Sequence, residues 1–192
     1  MVRSRPTEVA LRPWAPGDLA LLERLMGDPQ MTEHLGGPEP PEKILRRHAR
    51  YLALDGPGQM FAITVDPTGA AAGSVGYWEL AWQGETCWET GWNVLPEFQG
   101  RGVATRATAL VVARAGADGT YRRIHAFPAV DNGPSNAVCR KVGFSLLGEC
   151  EVEYPAGRMM RANDWVLDLI GAAAQPSATS RTAASAAESM NP

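Results

Sequence analysis

Between Thr86 and Ala115 the chain runs from strand-forming residues, through a proline and two glycines, into small and apolar residues of helical character. Strand, glycine loop, helix is the order found at the carboxyl edge of a strand in a layered α/β fold, and it constrains everything around it. Leu95, Pro96 and Glu97 break the strand after Val94, and Val103 to Ala115 contains no proline or glycine, as a packed helix allows. Gln99 to Ala104 therefore falls at the start of a helix. The first backbone N–H groups there have no intrahelical partner, and the helix dipole places roughly half a positive charge beside them, so the junction suits an anion. Gly100 and Gly102 lack a Cβ that would block close approach, and Arg101 can add a charge-assisted bond to a phosphate oxygen. On the glycines alone two readings stand, an anion loop or an ordinary turn before a helix. Two nucleotide loops are excluded: the Gly-Lys-Ser/Thr ending of the Walker pattern is absent, and Thr105 stands where a dinucleotide loop needs its third glycine.

Around this junction the pattern predicts a strand over Val9–Trp14, a helix over Pro16–Met26 with Leu19, Leu22 and Leu25 at helical spacing, and a second helix over Pro41–Leu54. Strands follow over Met60–Val65, Ala72–Trp82 and Thr86–Val94. Beyond the loop and its helix come a strand over Arg123–Val130, a short helix over Asn132–Val142, and a closing pair of strands, Phe144–Tyr154 and Met159–Leu169, around Pro155, Ala156 and Gly157. The class is α/β or α+β, without internal repeats.

A chain of 192 residues is long enough for one core that needs no staple. A formal charge of −3 gives no electrostatic reason to expect nucleic acid or anionic lipid as a partner. Cys87, Cys139 and Cys150 have neither CxxC spacing nor a histidine cluster, which argues against a disulfide framework and against a metal site. No apolar run approaches the roughly 20 residues of a membrane span and no signal peptide is evident, so a soluble, cytoplasmic protein is expected. After Ile170 the composition turns to alanine, serine and threonine, which predicts a domain over 1–170 and a disordered tail over 171–192.

Read together, Gln99, Gly102 and Ala104 form Q/R-x-x-G-x-G/A after a strand ending in Val-x-Pro, which resembles the acetyl-CoA loop of the GNAT acetyltransferases. Further on, Asn132 to Phe144 resembles that family's other signature, N-x-x-S/A-x5-K-x-G-F, in the expected order. Leu11-Arg12-Pro13-Trp14 and Glu89-Thr90-Gly91-Trp92 are similar to the branch that contains the ribosomal-protein alanine acetyltransferases. The resemblance spans about residues 9 to 170.

It implies a GNAT-like mixed, mostly antiparallel sheet of six to seven strands, splayed at its parallel pair and flanked by about four helices. It implies acetyl-CoA as co-substrate, without a metal, and a primary amine as acceptor. A protein or peptide α-amine is favoured; a small-molecule amine, such as an antibiotic or a polyamine, and a CoA-binding sensor without turnover are the alternatives. The protein is expected as a monomer or homodimer. By the same resemblance, backbone groups of Trp92, Asn93 and Val94 hold the pantetheine arm, the Val94 N–H is an oxyanion donor, and Gln99, Gly100, Arg101, Gly102, Val103 and Ala104 hold the pyrophosphate. Asn132 either touches the pantetheine arm or caps its helix, and both roles are compatible. Cys139 occupies the place where many relatives carry a tyrosine that protonates the departing thiolate. It is either a weak proton donor or a small buried hydrophobe. Arg106 replaces a glutamate common in the branch and is expected on the exposed side of its helix. Glu89 is the leading candidate base, although alternation puts its side chain on the opposite face of the strand from that of Val94; the other reading is a structural carboxylate. Glu153, Tyr154 and Asp164 are weaker candidates. Trp78, Trp82, Trp88, Trp92 and Trp165 form either an aromatic wall for the acceptor or part of the core.

Overall fold

The structure is a computed structural model that describes residues 8–54, 57–66, 69–155 and 157–169; the tail expected over 171–192 lies outside the described residues. The elements, in chain order, are β1 (Val9–Pro13), α1 (Leu19–Met26), α2 (Pro41–Ala53), β2 (Gly58–Val65), β3 (Ala70–Trp82), β4 (Glu85–Val94), α3 (Val103–Asp118), β5 (Arg123–Ala126), α4 (Gly133–Val142), β6 (Ser145–Glu153) and β7 (Met159–Asp168). They build one seven-stranded sheet in the order β1-β2-β3-β4-β5-β7-β6. Every neighbouring pair is antiparallel except β4 and β5, which run parallel.

Alternating side chains bury both faces of the central strands. Phe61, Ile63, Val75, Tyr77, Trp88 and Ile124 pack under α3 with Val103, Ala107 and Val111. Met60 and Ala62, on the other face of β2, join Leu22, Leu25, Ile44 and Leu95 in a second core under α1 and α2. Trp88 and Trp165 belong to the first core, and Trp78 packs against the second.

Two elements differ from the sequence reading. The expected helix over Pro16–Met26 begins as a 3-10 turn, Pro16–Asp18, before α1. There Asp18 accepts the Ala15 N–H at 2.8 Å and pairs with Arg12 at 2.6 Å. The strand expected over Arg123–Val130 ends at Ala126. Strand-forming side chains continue beyond it, but Pro128 has no N–H for a ladder, and the backbone leaves β4 while keeping single bonds to β7. Asn163 N–H donates to Pro128 O at 2.9 Å, and Val130 N–H donates to Arg161 O at 3.2 Å. That departure opens the sheet beside β4.

Candidate functional site

The parallel pair is in register at two positions only, Trp88 with Ile124 and Glu89 with His125. Beyond Glu89, β4 continues against β3 as far as Val94, while the chain after β5 turns toward β7. A V-shaped gap results, with the Glu89–His125 pair at its vertex. Leu95 N–H donates to Ala72 O at 2.8 Å, so the adjoining Gly73–Val94 pair is the non-hydrogen-bonded one. The Val94 N–H is thereby turned away from β3 and into the gap. The Val94 carbonyl faces the same way and accepts the Gln99 side-chain amide at 2.8 Å, which ties the loop to the end of the strand. By the same alternation Trp92 presents its backbone to the gap, whereas the backbone of Asn93 pairs with Ser74 of β3. Of the three residues expected to line the gap with backbone groups, Trp92 and Val94 do so. Asn93 offers its side chain on the α1–α2 face instead.

The loop closes onto the start of α3. Gly100 and Gly102 take φ values of 71° and 72°, in the left-handed region that glycine enters without strain. Gly102 caps α3 without any side-chain cap, so the N–H groups of Val103, Ala104 and Thr105 have no helical acceptor. A Cβ at Gly100 would meet nothing within 4 Å, so the loop surface there is open. Arg106 corrects the sequence reading. It is half-buried and folds back over the loop, donating to Arg101 O at 2.5 Å, with its Nε buried and unpartnered. The reason is geometric: a side chain four residues into a helix leans over the turn that precedes it.

On the opposite face lies a chain of polar contacts. Glu89 points toward α1 and α2 and accepts the Trp78 indole N–H at 2.8 Å. Burial raises the Glu89 carboxyl above its ordinary value, and the Trp78 bond offsets this only in part. One strand over, on the same face, His125 lies 2.7 Å through Nδ1 from Asp164 Oδ1. The other Asp164 oxygen accepts the Trp82 N–H at 2.9 Å. Phe127 stacks on the His125 ring, 5.9 Å between centroids. The remaining acid–base candidates lie elsewhere: Glu153 accepts the Gly157 N–H at 2.6 Å in the β6–β7 turn, and the Tyr154 hydroxyl accepts from Arg47 at 3.2 Å.

A family model described as Acetyltransferase (GNAT) domain matches residues 8–145. The chain belongs to the GNAT acetyltransferases. As a GNAT domain it is an acetyl-CoA-dependent N-acetyltransferase. Its fold is shared with solved structures of low sequence identity. AAC(6')-Ib in complex with paromomycin and acetyl-CoA superposes at a TM-score of 0.74 with 17% identity, covering 90% of this chain and 99% of that one. Spermidine N-acetyltransferase from Vibrio cholerae, with CoA and spermine, gives 0.69 at 18% identity, over 84% and 95%. RimL, a ribosomal-protein α-N-acetyltransferase in complex with coenzyme A, gives 0.69 at 21%, over 87% and 97%. Comparison with curated protein sequences gave no match.

The residues of the GNAT domain fit acetyl-CoA on their own terms. Free helix N–H groups, the exposed Arg101 and the positive charge of the Arg106 guanidinium over Gly102 suit a pyrophosphate. At the start of α4, Asn132 caps the helix by accepting the Ser135 N–H at 3.1 Å. Its loop is pinned by the buried Asn136, which donates to Ala129 O and Asn132 O and accepts from Trp165 and Asn163. Cys139 is fully buried in the α3 core, and burial pushes its thiol up to about 12. Among the described residues no cluster of three or more His, Cys, Asp or Glu could hold a metal, and no helix is long and apolar enough to cross a membrane. No role for His125 or Asn136 is readable in the chain order alone. Both act through contacts with residues distant in the chain, although the place of Arg106, four residues after Gly102, is a readable signal.

Proposed function

We propose that this GNAT domain acetylates the α-amine of a peptide or protein, with Glu89 as the base. The observation that carries the reading is the state of the carboxylates beside the gap: Glu89 is bonded by Trp78, and Asp164 by Trp82 and His125. A polyamine or aminoglycoside brings several positive charges and calls for several unpaired carboxylates. A terminal amine brings one. Trp78, Trp82 and Phe127 around those carboxylates suit an acceptor with an apolar or aromatic first residue.

In this reading Gln99 to Ala104, with Arg106, holds the pyrophosphate, and the Trp92 and Val94 backbone and Asn132 hold the pantetheine arm. Bound acetyl-CoA supplies the activated acetyl group. The Val94 N–H, preorganised in the gap, stabilises negative charge on the acetyl oxygen. The acceptor enters from the α1–α2 face, opposite α3 and α4. Glu89 takes its proton there. An α-amine near pKa 7.8 costs only about 1 kcal/mol to deprotonate at pH 7, whereas a lysine-like amine costs about 4.6 kcal/mol. A half-buried carboxyl with a raised pKa is matched to the first task. Cys139, held as a neutral thiol in the core, serves packing, and the departing thiolate takes its proton from solvent. Three unpaired cysteines fit a reducing, cytoplasmic setting.

The test is acetyl-CoA consumption across peptides with varied N-termini, polyamines and aminoglycosides. Thiol release with peptides is expected. Turnover confined to polyamines or aminoglycosides overturns the acceptor assignment, and binding without turnover on any amine points to a sensor.

A further inference from the structure

Glu89 has two carboxylate oxygens, and their surroundings differ. Trp78 on β3 lies directly opposite Glu89 on β4, so both side chains leave the same face of the sheet. The indole leans on the diagonal toward Gly91, two residues beyond Glu89 and on that same face. A Cβ at Gly91 would lie 3.1 Å from Trp78 Cη2 and 3.9 Å from Cζ2. These carbons share one side of the indole with its nitrogen, so that side of the ring faces β4. Its carbon end rests on Gly91, and its N–H donates to Glu89 Oε2 at 2.8 Å. Met60 of β2 fills the space over Gly76, the residue opposite Gly91, and Trp78 packs against the second core. The indole is wedged between that core and β4.

Glu89 Oε1 is not held in this way. It has no hydrogen-bond partner among the described residues, and it is not one of the sealed, unpartnered atoms, which are Trp88 Nε1, Arg106 Nε and Thr108 Oγ1. The side chain is half-buried, which leaves this oxygen open to an amine and to water.

We infer that Trp78 is a positioning residue for the transfer: its N–H grips one oxygen of Glu89 and presents the other, Oε1, to the acceptor amine, with Gly91 as the bare position over which the indole lies. The inference rests on the reading of Glu89 as the base. An N–H bond of the acceptor breaks and an O–H bond forms at Oε1. The proton then passes to water, so no other reactant is consumed. A hydrogen bond to Oε2 favours the ionised carboxylate, and so opposes the burial that raises the Glu89 carboxyl.

Other titratable groups share this face. Cys87, two residues before Glu89, has its thiol pushed up to about 11 chiefly by burial, and Asp164 on β7 is held by Trp82 and by His125 of β5. Helix α2 brings His48, which accepts the Trp14 N–H, and Arg47, which is paired with Glu39 and also bonds Tyr51. The buried residues of α1, Leu21, Leu22, Leu25 and Met26, bring none.

The experiment compares Trp78→Phe, which keeps a ring but has no N–H, with Gly91→Ala and Glu89→Gln, using the best acceptor of the panel. Trp78→Phe is expected to move the acid limb of the kcat–pH profile up by about one to two pH units, the worth of a hydrogen bond to a charged group. Its kcat at pH 7 should fall about 10-fold, with KM for acetyl-CoA unchanged. Gly91→Ala keeps both partners but crowds the ring, and should move the limb the same way by a smaller amount. Glu89→Gln should lose the limb altogether, with kcat down about 100-fold or more. Loss in Glu89→Gln beside an unmoved limb and wild-type kcat in Trp78→Phe overturns the positioning role and leaves the base in place. No loss in Glu89→Gln overturns both. A measurement on the unaltered protein guards against a variant that misfolds: NMR of its six indole N–H groups across a pH titration. The Trp78 resonance is expected to titrate with Glu89, and a flat Trp78 resonance overturns the grip.

Discussion

Glu89 shows how one environment sets both stability and reactivity. Burial raises its carboxyl pKa in the folded state above the ordinary value of 4.5, so the folded protein holds that proton more tightly than the unfolded chain does. The sign follows from linkage: this group favours folding most at low pH, and that contribution falls as pH rises from about 4.5 through the raised value. Glutamine accepts the same Trp78 bond without ever ionising. Thermal melts of Glu89→Gln and wild type should therefore show a Tm difference that moves in favour of the variant between pH 4 and pH 7, while activity falls. An equal difference at both pH values would mean that Glu89 is not strained by its burial. Glu89 was legible from its place five residues before Val94, and alternation gave its face. His125 was not, because a lone histidine between Ile124 and Ala126 carries no signal until the register with Glu89 and the contact with Asp164, 39 residues away, are known.

At the scale of elements, the junction of β4, loop and α3 was legible because its chemistry is local. Pro96 stops the strand, and Gly100 and Gly102 supply the two left-handed residues that the turn into α3 requires. The end of β5 was not local. Residues 127–130 favour extended structure, yet the partner they follow is β7, and no window around them contains that information. Arg106 joins the two cases: helical spacing brings it over Gly102, and its guanidinium turns the loop from a set of N–H donors into a cationic cradle. Arg106→Ala should raise KM for acetyl-CoA about 10-fold or more, the loss of a charge-assisted bond of about 1.5–3 kcal/mol, with KM for the acceptor unchanged. Gly102→Ala should do the same while costing about 1–2 kcal/mol in stability, because its Cβ forces a strained φ. Steady-state kinetics with each substrate varied in turn, beside denaturant titrations, separate the two effects. Equal rises in both KM values would place Arg106 outside the cofactor site.

For the whole molecule, the sheet works as a partition. Helices α3 and α4 occupy one face, bring the anion cradle and Asn132 to the rim of the gap, and bury Cys139 beneath them. The other face belongs to α1 and α2 over β2 and β3, and to Glu89, His125 and Asp164 over β4, β5 and β7. The parting of β4 from the chain after β5 brings groups from both faces to one gap, into which the Val94 N–H is turned. The resemblance of two loops foretold this layout, and the register of the parallel pair defines where it closes. The acceptor decides whether the partition has been read correctly. The most direct measurement is fragment-ion mass spectrometry of a peptide that carries both a free N-terminal amine and a lysine, after incubation with acetyl-CoA and the protein. One acetyl group on the α-nitrogen, with the lysine unmodified, is the expected product; acetylation at the lysine alone, or an unmodified peptide under conditions where an aminoglycoside or polyamine is acetylated, would contradict it.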